Sequence, residues 1–482
     1  MLPNQARWIW RILLFAVFAA VRLAWLTMDP PNWLSWSAGL YTDEGFYTLD
    51  ARHWVLFQHA ALGNFHDSLL APGLSAMQHA IFGFFGVSDL CARYLSVVMS
   101  LATLVLFWFA LRRSFGEDTA DIGTCFLGLL PAVVFYNRMA LQETPATFFL
   151  VASLCARSYA DKETTATKRT VLECICGALA AMLILFKPLG LLALPALVLL
   201  GRSREQKIHV LTALAGAVAV LGLWFVVLYA PNHAELARMG SYYRGHQTLP
   251  GSVKTLWLDV KRGLVSPRSG LVPFLLFTCP VALGLAAYAG INYKTVKSAM
   301  SAVLVGWLAC GVLYCLVMVY SPSRYYILFM PALSGLAAAA CSNVRPAIKY
   351  SFVGLFSAMS LAWILVSFSQ REFGMADARS AVTHLVPANA LVVGDMAPAL
   401  CMDSHVQASP MQPGLSNDKQ PVETLKPYAI ALVRSTTWDN WWTSRYPGIL
   451  NSDDRLGGWT VGPGYRIELF RVGRDIRQRD KP

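Results

Sequence analysis

The sequence predicts an all-α polytopic membrane protein of about eleven transmembrane helices, followed by a soluble α/β domain at the C-terminal end. Of the 482 residues, 56% are hydrophobic and only 14% are charged, whereas about a quarter of the residues in a soluble domain are charged. Apolar segments of roughly 18 to 22 residues recur along the first three quarters of the chain, and ~20 residues suffice for a helix to cross the hydrocarbon core. After residue 370, short mixed elements replace these segments.

The transmembrane module is predicted to occupy residues 1–370. Its first apolar segment, Ile12 to Leu26, follows two arginines as a signal peptide would, but no small-residue cleavage site comes after it. We therefore retain it as a span. The expected spans lie near residues 11–27, 91–111, 119–137, 143–160, 171–186, 188–201, 208–229, 271–291, 299–320, 325–341 and 347–368.

The orientation follows from Lys and Arg, which concentrate in the cytoplasmic loops of membrane proteins. Alternate gaps between the apolar segments are basic, and we assign them to the cytoplasm: the N-terminus, Arg112 with Arg113, Arg157 to Arg169, Arg202 to Lys207, Lys294 to Lys297, and Arg345 to Lys349. An odd number of spans then places the C-terminal domain outside. These gaps account for the net charge of +12, so no nucleic-acid partner is implied. The absence of any Asn-x-Ser/Thr sequence favours a bacterial cytoplasmic membrane over a eukaryotic secretory one.

The first external loop, residues 28–90, is predicted to contain helices at the membrane surface. Phe46, Leu49 and His53 recur at helical spacing, while Glu44 and Arg52 lie on other faces. This is the pattern of an amphipathic helix lying along the membrane. The segment Ile81 to Val87 is apolar but too short to span, so we expect it to be re-entrant or interfacial.

Residues 371–482 are predicted to form an extracytoplasmic α/β domain of about 110 residues. Its expected elements are a helix near Ala376 to Leu385 and strands near Ala390 to Val393, Ala429 to Val433 and Arg466 to Val472. The sequence contains no Walker loop, no G-x-G-x-x-G after a strand and no zinc-finger spacing.

Two adjacent acids, Asp43 and Glu44, stand at the head of the expected surface helix. Carboxylates favour helix N-termini, so one interpretation is a capping pair. A carboxylate that is partly desolvated at a membrane interface can also act as general base on an acceptor hydroxyl. The position of the pair in an external loop favours this catalytic interpretation.

Four further charged residues are candidates at the external ends of spans. Glu143 opens the fourth span, with Arg138 before it, and it either caps the helix or supplies a second acid facing Asp43. Lys187 and Arg324 interrupt apolar sequence on the external side, against the positive-inside bias. A bound phosphate would explain them, because an anion there needs charge-assisted donors. Lys187, Arg138 and Arg324 are therefore the candidate donor-phosphate ligands.

A metal site is left open by the sequence. The histidines of the first loop, His53, His59, His66 and His79, lack metal-ligand spacing, and only His66 with Asp67 forms a pair of interest. A divalent ion bridging carboxylates and phosphate would be the one expected cofactor, with Asp43, Glu143 and His66 as its candidate ligands.

Several short motifs occur in order along residues 1 to about 340, and together they have the order and spacing of a known group. They are Tyr41-Thr42-Asp43-Glu44-Gly45, Phe85-Gly86-Val87-Ser88 running on to Arg93, Arg112-Arg113-Ser114-Phe115-Gly116, Asn137-Arg138 running on to Glu143-Thr144-Pro145, Phe186-Lys187-Pro188-Leu189-Gly190, and Ser323-Arg324-Tyr325-Tyr326 running on to Pro331. This arrangement resembles the GT-C glycosyltransferases, in particular the branch that contains protein O-mannosyltransferases and the aminoarabinose transferases of lipid A.

The resemblance implies a GT-C-like fold, a catalytic base in the first external loop, and a donor sugar carried on a polyprenyl phosphate. It assigns the base to Asp43 with Glu44 in support, makes Glu143 the second acid, and places Lys187 near the donor phosphate. Two departures concern the substrate: Leu70-Ala71-Pro72 stands where the family usually has Pro-Pro-Leu after His or Lys, and Glu143 stands where Asp is common.

We therefore predict an inverting glycosyltransferase that moves a sugar from a lipid-linked donor to a hydroxyl of a lipid, glycan or protein acceptor on the extracytoplasmic face. The main alternative is a polytopic transporter or lipid flippase without transferase activity. Transporters gather charge near the bilayer midplane in broken helices with repeat symmetry, and neither feature is visible in the sequence. A non-catalytic sensor would leave Asp43, Glu143 and Lys187 unexplained.

Overall fold

The structure is a computed structural model, and it describes residues 4–34, 38–200, 209–246, 257–258, 260–261, 264–266, 270–291, 298–317, 322–462 and 464–473. The basic segments expected on the cytoplasmic side at Arg202 to Lys207 and at Lys294 to Lys297 lie outside the described residues. So do residues 474–482 of the predicted C-terminal domain.

The first three quarters of the chain are helical. The α-helices up to residue 369 are α1 Asn4–Leu23, α2 Gly39–Phe57, α3 Asp67–Leu70, α4 Pro72–Phe85, α5 Asp89–Phe115, α6 Glu117–Leu129, α7 Pro131–Tyr136, α8 Glu143–Ala160, α9 Ala166–Ala181, α10 Leu194–Leu199, α11 Val210–Trp224, α12 His233–His246, α13 Leu271–Thr278, α14 Pro280–Ile291, α15 Ala299–Val317, α16 Met330–Ser342 and α17 Pro346–Ser369. Three 3-10 segments, Met182–Leu185, Pro188–Ala193 and Ser323–Phe329, and one π segment, Phe225–Tyr229, complete this part.

Proline sets where several of these helices begin. Pro72, Pro131 and Pro346 each stand at the start of a helix, where the missing N–H costs nothing because first-turn donors have no partner within the helix. The same property interrupts the predicted spans. The span expected near residues 119–137 is divided between α6 and α7, and the span expected near 271–291 is two helices bent by 112°.

The long apolar helices show that the protein is an integral membrane protein. Within the described residues, four helical segments are long and apolar enough to cross a membrane, and the bent pair α13 and α14 would make a fifth. The four are Asp89–Phe115, Val210–Tyr229, Ser323–Ser342 and Pro346–Leu385. Val218, Leu223 and Leu365 on these segments are more than 60% exposed, as side chains that face lipid would be. The figure of about eleven spans is not confirmed and stays a prediction.

The helix expected at the membrane surface is present as α2, but its predicted amphipathic placement is wrong. Glu44, Thr48 and Arg52, which were expected on the faces away from the apolar stripe, are all buried. The reason is that protein covers that face: Arg93 of α5 pairs with Glu44, and the C-terminal domain covers Arg52. The Arg52 guanidinium donates to the backbone carbonyls of Met402, Ser404 and Val406, so its polar groups are satisfied by protein instead of water.

The C-terminal domain contains a five-stranded sheet in the order β2-β1-β3-β5-β4. Strands β1 Leu391–Val393, β2 Gln407–Ser409 and β3 Ala429–Val433 are parallel, while β4 Arg455–Val461 and β5 Tyr465–Arg471 form an antiparallel pair that joins at β3. The helices are α18 Gly374–Leu385, α19 Ala397–Leu400, α20 Pro421–Leu425 and α21 Thr436–Arg445, with a 3-10 turn at Ser452–Asp454. The predicted helix and three predicted strands are confirmed by α18, β1, β3 and β5; β2 and β4 were not predicted.

The C-terminal domain shares its core with α2. Tyr41 and Leu49 of α2 lie in the same apolar cluster as Val392, Leu400 and Leu469 of the domain. At Gly45 the two backbones nearly touch, because a methyl group added there would lie 2.4 Å from the Ala399 nitrogen. Helix α2 is therefore held between the membrane helices and the sheet domain.

Candidate functional site

The candidate site lies where four chain segments end on the same side of the helix bundle. Asp43 is in the second turn of α2, Glu143 is the first residue of α8, and Arg324 is the second residue of the 3-10 segment Ser323–Phe329. Lys187 stands between two 3-10 segments, directly before Pro188, in an extended conformation (φ −152°, ψ 94°). Extended backbone is what a following proline favours. The break in the apolar segment thus turns the Lys187 side chain toward the other residues.

These side chains form one chain of opposite charges, which we call the site cluster (Asp43, Arg324, Glu143 and Lys187). Arg324 Nη2 lies 2.5 Å from Asp43 Oδ2, and Arg324 Nε lies 3.5 Å from Glu143 Oε1. Lys187 Nζ lies 3.1 Å from the same Glu143 oxygen. The expectation that Glu143 faces the region of Asp43 therefore agrees with the geometry, with Arg324 standing between the two acids.

Aromatic rings line the cationic side of the cluster. Lys187 Nζ lies 4.4 Å from the centre of the Tyr325 ring and 5.7 Å from that of Tyr47, and the Arg324 guanidinium carbon lies 5.2 Å from that of Tyr325. Such contacts stabilise a cation more when water is excluded. Tyr47 follows Asp43 by four residues on α2, so the two side chains share one helix face.

The site cluster is buried but incompletely hydrogen-bonded. The Glu143 side chain is 0% exposed, those of Arg324 and Lys187 are 9% and 10% exposed, and that of Asp43 is 18% exposed. Asp43 Oδ2, both Glu143 oxygens and Arg324 Nε make no hydrogen bond among the residues that the structure describes, despite the short ion pairs. Buried polar atoms are normally hydrogen-bonded, so a ligand that rearranges these ion pairs would find unused hydrogen-bonding capacity.

A third acid, Asp67, adjoins this cluster. The Gln142 amide donates through Nε2 to Asp67 Oδ1 at 3.3 Å, while its Oε1 accepts from Lys187 Nζ at 3.5 Å. The other Asp67 oxygen, Oδ2, is buried and has no hydrogen-bond partner among the described residues. Sequence reasoning gave Asp67 no role beside the cluster. The available signals were its pairing with His66 and the position of Gln142 directly before Glu143.

Burial dominates the ionisation of the two external acids. Burial raises the pKa of Asp43, and the nearby Arg324 and Lys187 oppose that rise. Burial also raises the pKa of Asp67 well above the ordinary carboxylate range, and the neighbouring Asp50 and Asp43 add to the effect while Lys187 opposes it. A base with a raised pKa holds a proton more strongly, so burial favours the neutral form of Asp67.

Two of the predicted residues do not share the site. Arg138 donates to the carbonyls of Val21 and Trp25 at the end of α1, at 2.9 and 2.6 Å. Its guanidinium therefore binds the end of a helix and does not lie with the other candidate phosphate ligands. Glu44 faces away from Asp43 and forms a two-pronged ion pair with Arg93, at 2.9 and 2.7 Å. Because consecutive residues of a helix point about 100° apart, the side chains of these adjacent acids face different parts of the structure.

The candidate metal ligands are not brought into one cluster. No group of three or more His, Cys, Asp or Glu side chains suited to a metal ion occurs in the described part of the chain. His66 Nδ1 instead lies 3.5 Å from Asp50 Oδ1, and Asp50 Oδ2 also accepts from the backbone and hydroxyl of Ser68. Metal dependence therefore stays a prediction that rests on Asp43 and Glu143.

Comparison with known proteins supports the resemblance. Residues 70–231 match the family model described as dolichyl-phosphate-mannose-protein mannosyltransferase. The fold is similar to that of ArnT from Cupriavidus metallidurans bound to undecaprenyl phosphate (TM-score 0.68, 12% identity), covering 97% of this chain and 98% of that one. It is also similar to the oligosaccharyltransferase AglB from Archaeoglobus fulgidus with an inhibitory peptide and a dolichol-phosphate (TM-score 0.55, 11% identity), covering 88% of this chain and 69% of that one.

One curated relative matches a short segment. The cyclic ether formation enzyme xenC from Xenoacremonium sinensis is 39% identical over 74 residues, which is 15% of this chain and 54% of that protein. The chain thus spans about half the length of this relative. The family model and the solved structures confirm the resemblance to the GT-C glycosyltransferases, and the chain has a GT-C-like fold with a small C-terminal sheet domain.

Proposed function

We propose that the protein is a glycosyltransferase that moves a sugar from a polyprenyl-phosphate donor to a hydroxyl acceptor, by one displacement at the anomeric carbon with inversion. The observation that carries the proposal is the site cluster, because it combines ionisable acids with two buried cations at one end of the bundle. The family model matched by residues 70–231 and the fold shared with ArnT and AglB support the same reaction class.

Arg324 and Lys187 are proposed to hold the donor phosphate. Without a ligand, both pair with acids of the site cluster, and Arg324 Nε and the Glu143 oxygens still lack hydrogen bonds. An incoming phosphate can take the guanidinium and ammonium donors in charge-assisted contacts. The polyprenyl tail would then run between the apolar helices. The proposal places Glu143 behind the two cations, where its negative charge keeps them protonated and oriented.

Asp43 is proposed as the general base. When the phosphate engages Arg324, Asp43 loses its cationic partner and becomes free to accept the proton of the acceptor hydroxyl. The acceptor oxygen then bonds to the anomeric carbon as the bond from that carbon to the phosphate oxygen breaks, and the electron pair stays on the phosphate. Lys187 and Arg324 stabilise that developing charge, which is where electrostatic catalysis has most effect.

The proposal includes a location and an acceptor class. The N-terminus would lie in the cytoplasm and the C-terminal domain outside, in a bacterial cytoplasmic membrane, and the acceptor would be a lipid, glycan or protein hydroxyl. The donor would be lipid-linked because nucleotide sugars are made in the cytosol. Arg324 separates Asp43 from Glu143, so a divalent ion held by these two acids would have to replace it, and adding a chelator to the transfer assay tests for such an ion.

The deciding assay gives purified protein a polyprenyl-phosphate sugar or the matching nucleotide sugar, with one hydroxyl acceptor in both reactions. We expect transfer from the lipid-linked donor alone. Transfer only from the nucleotide sugar would contradict the proposal. Transport of the lipid donor across a vesicle without any transfer would favour the flippase alternative.

A second candidate function follows from the similarity to xenC, whose name describes cyclic ether formation. Ether formation also joins a hydroxyl oxygen to a carbon, so a base at Asp43 would serve it. Mass spectrometry distinguishes the two functions: sugar transfer adds the mass of the sugar to the acceptor, whereas ring closure within one molecule adds none.

A further inference from the structure

A second chain of charges lies beside the site cluster and runs from the C-terminal domain to α2. We call it the ladder (Arg379, Asp89, Arg93 and Glu44). Arg379 Nη1 lies 2.5 Å from Asp89 Oδ2, and the same oxygen lies 3.2 Å from Arg93 Nε. Arg93 in turn donates two hydrogen bonds to the Glu44 carboxylate. All four side chains are at most 5% exposed.

The Glu44 end of the ladder fixes both acids of the proposed mechanism. Glu44 is bonded through the backbone to Asp43, and its Oε1 also accepts from the backbone nitrogen of Ala140 at 2.8 Å. Ala140 belongs to the turn that leads directly into Glu143 at the start of α8. One carboxylate therefore ties α2 to the turn from which Glu143 projects.

The Arg379 end fixes the surface against which α2 packs. Arg379 Nε donates to the carbonyl of Ala399 at 2.8 Å, and Ala399 is the residue whose backbone nearly touches Gly45 of α2. Arg379 thus contacts the backbone at the point where α2 meets the C-terminal domain, and it also pairs with Asp89, the acid that orients Arg93. Removing it would leave Asp89 with Arg93 alone, which draws Arg93 away from Glu44.

We propose that Arg379 is a positioning residue through which the C-terminal domain sets the place of Asp43, by way of the ladder. The inference rests on the proposed function only for the role of Asp43, since the ladder itself is a set of observed contacts. It assigns the sheet domain a part in the reaction without giving it a substrate contact. A displacement of about 1 Å at a reacting group can cost roughly 10²-fold in rate.

The test compares purified full-length wild type with Arg379→Ala, Arg379→Lys and the matched control Arg434→Ala. Arg434 is also an ion-paired arginine of the C-terminal domain, but its partners Asp439 and Glu468 belong to that domain. Two quantities are measured: kcat and KM for a polyprenyl-phosphate sugar, and hydrogen exchange of the backbone amides of residues 39–57.

We expect Arg379→Ala to lower kcat by roughly 10-fold to 10²-fold with KM for the donor nearly unchanged, and to speed exchange across residues 39–57. Arg379→Lys should lose less kcat and show less of the faster exchange than Arg379→Ala. The lysine ammonium can pair with Asp89, but unlike the forked guanidinium it cannot also donate to Ala399. Arg434→Ala should match wild type in both. If Arg379→Ala fails to fold, Arg379→Lys and Asp89→Asn supply the same comparison.

The exchange measurement separates this inference from the proposed function. If wild-type protein transfers no sugar, the proposed function fails, and exchange of residues 39–57 alone decides whether the ladder holds α2. Unchanged exchange in Arg379→Ala would overturn the inference. So would faster exchange with wild-type kcat, or a rise in KM for the donor as the main effect.

Discussion

Asp43 and Glu44 are neighbours in the chain, yet they belong to two buried charge clusters, and their own carboxylates differ in how fully they are hydrogen-bonded. Asp89 Oδ2 of the ladder shares the incomplete bonding of the site cluster. In the ladder, both Glu44 oxygens are hydrogen-bonded, by Arg93 and by the Ala140 backbone. In the site cluster, Asp43 Oδ2 and both Glu143 oxygens lack hydrogen bonds among the described residues. A saturated network holds a structure in one arrangement, whereas an unsaturated one retains capacity to bind.

The difference teaches that burial of a charge does not by itself mark a catalytic group. Glu44 is more buried than Asp43, with 2% against 18% of the side chain exposed, and both of its oxygens are hydrogen-bonded. We assign structure to the better-bonded acid and chemistry to the other. Measuring activity and stability separately for variants of the two acids tests this assignment.

The largest expected effect is that of Asp43→Asn on transfer. Loss of a general base typically costs ~10²-fold to 10⁴-fold in rate, and the amide cannot accept the acceptor proton. Because the Asp43 carboxylate is not part of a fully hydrogen-bonded network, membrane insertion and Tm of the variant should stay near those of wild type. The measurements are kcat with a lipid-linked donor and a thermal unfolding curve. Near-normal transfer would remove Asp43 from the mechanism.

Glu44→Gln should have the opposite signature. Glu44→Gln takes from Arg93 its two-pronged partner and leaves it with Asp89, and breaking a buried ion pair costs about 3–5 kcal/mol of stability. We expect a clearly lowered Tm in Glu44→Gln and, through the ladder, a reduced kcat. A Glu44→Gln protein with unchanged Tm but no transfer would show that Glu44, and not only Asp43, acts in the chemistry.

Smaller effects are expected from the two cations. Lys187→Ala and Arg324→Ala should each weaken use of the lipid donor by roughly 10-fold to 10²-fold, as expected when a charge-assisted contact to a phosphate is lost. Acceptor KM should change little. Arg371→Ala is the control, because Arg371 follows α17 and stacks on Trp25, outside the site cluster. Equal losses in donor and acceptor use would argue against a phosphate at these residues.

The smallest expected effect concerns pH. Burial raises the pKa of Asp43, so as pH falls through that raised value the base becomes protonated and transfer is lost. The acid limb of the kcat profile should therefore lie above the ordinary Asp value of about 3.9. An acid limb at or below that value would contradict the assignment.

Asp67 provides a control within the same profile. Burial raises its pKa well above the usual range, with Asp50, Asp43 and Lys187 as its charged neighbours, so its neutral form is favoured more than in an ordinary carboxyl group. Asp67→Asn resembles that form and should keep transfer near neutral pH, whereas Asp67→Ala, which leaves Gln142 without its acceptor, should lower it.

The candidate site was predictable in part because its residues are conspicuous in the sequence. Asp43, Glu143, Lys187 and Arg324 are charges at the ends of apolar segments, and the structure brings all four together. Arg138 had the same appearance, but its guanidinium binds the carbonyls that end α1. Asp67 and Gln142 were not singled out for the site, because a polar residue in a polar loop gives no local sign of burial.

The sequence by itself determined the membrane character, the helix α2 and three strands of the C-terminal sheet, because these depend on composition and local periodicity. The tertiary structure alone decided which of two adjacent acids faces the cations. It also buried the polar face of α2 under residues such as Ala399 and Met402, more than 350 positions away from Glu44 in sequence. Contacts over that separation leave no periodic trace in either segment. For this reason the amphipathic pattern of α2 suggested a membrane surface, while a second domain in fact covers it.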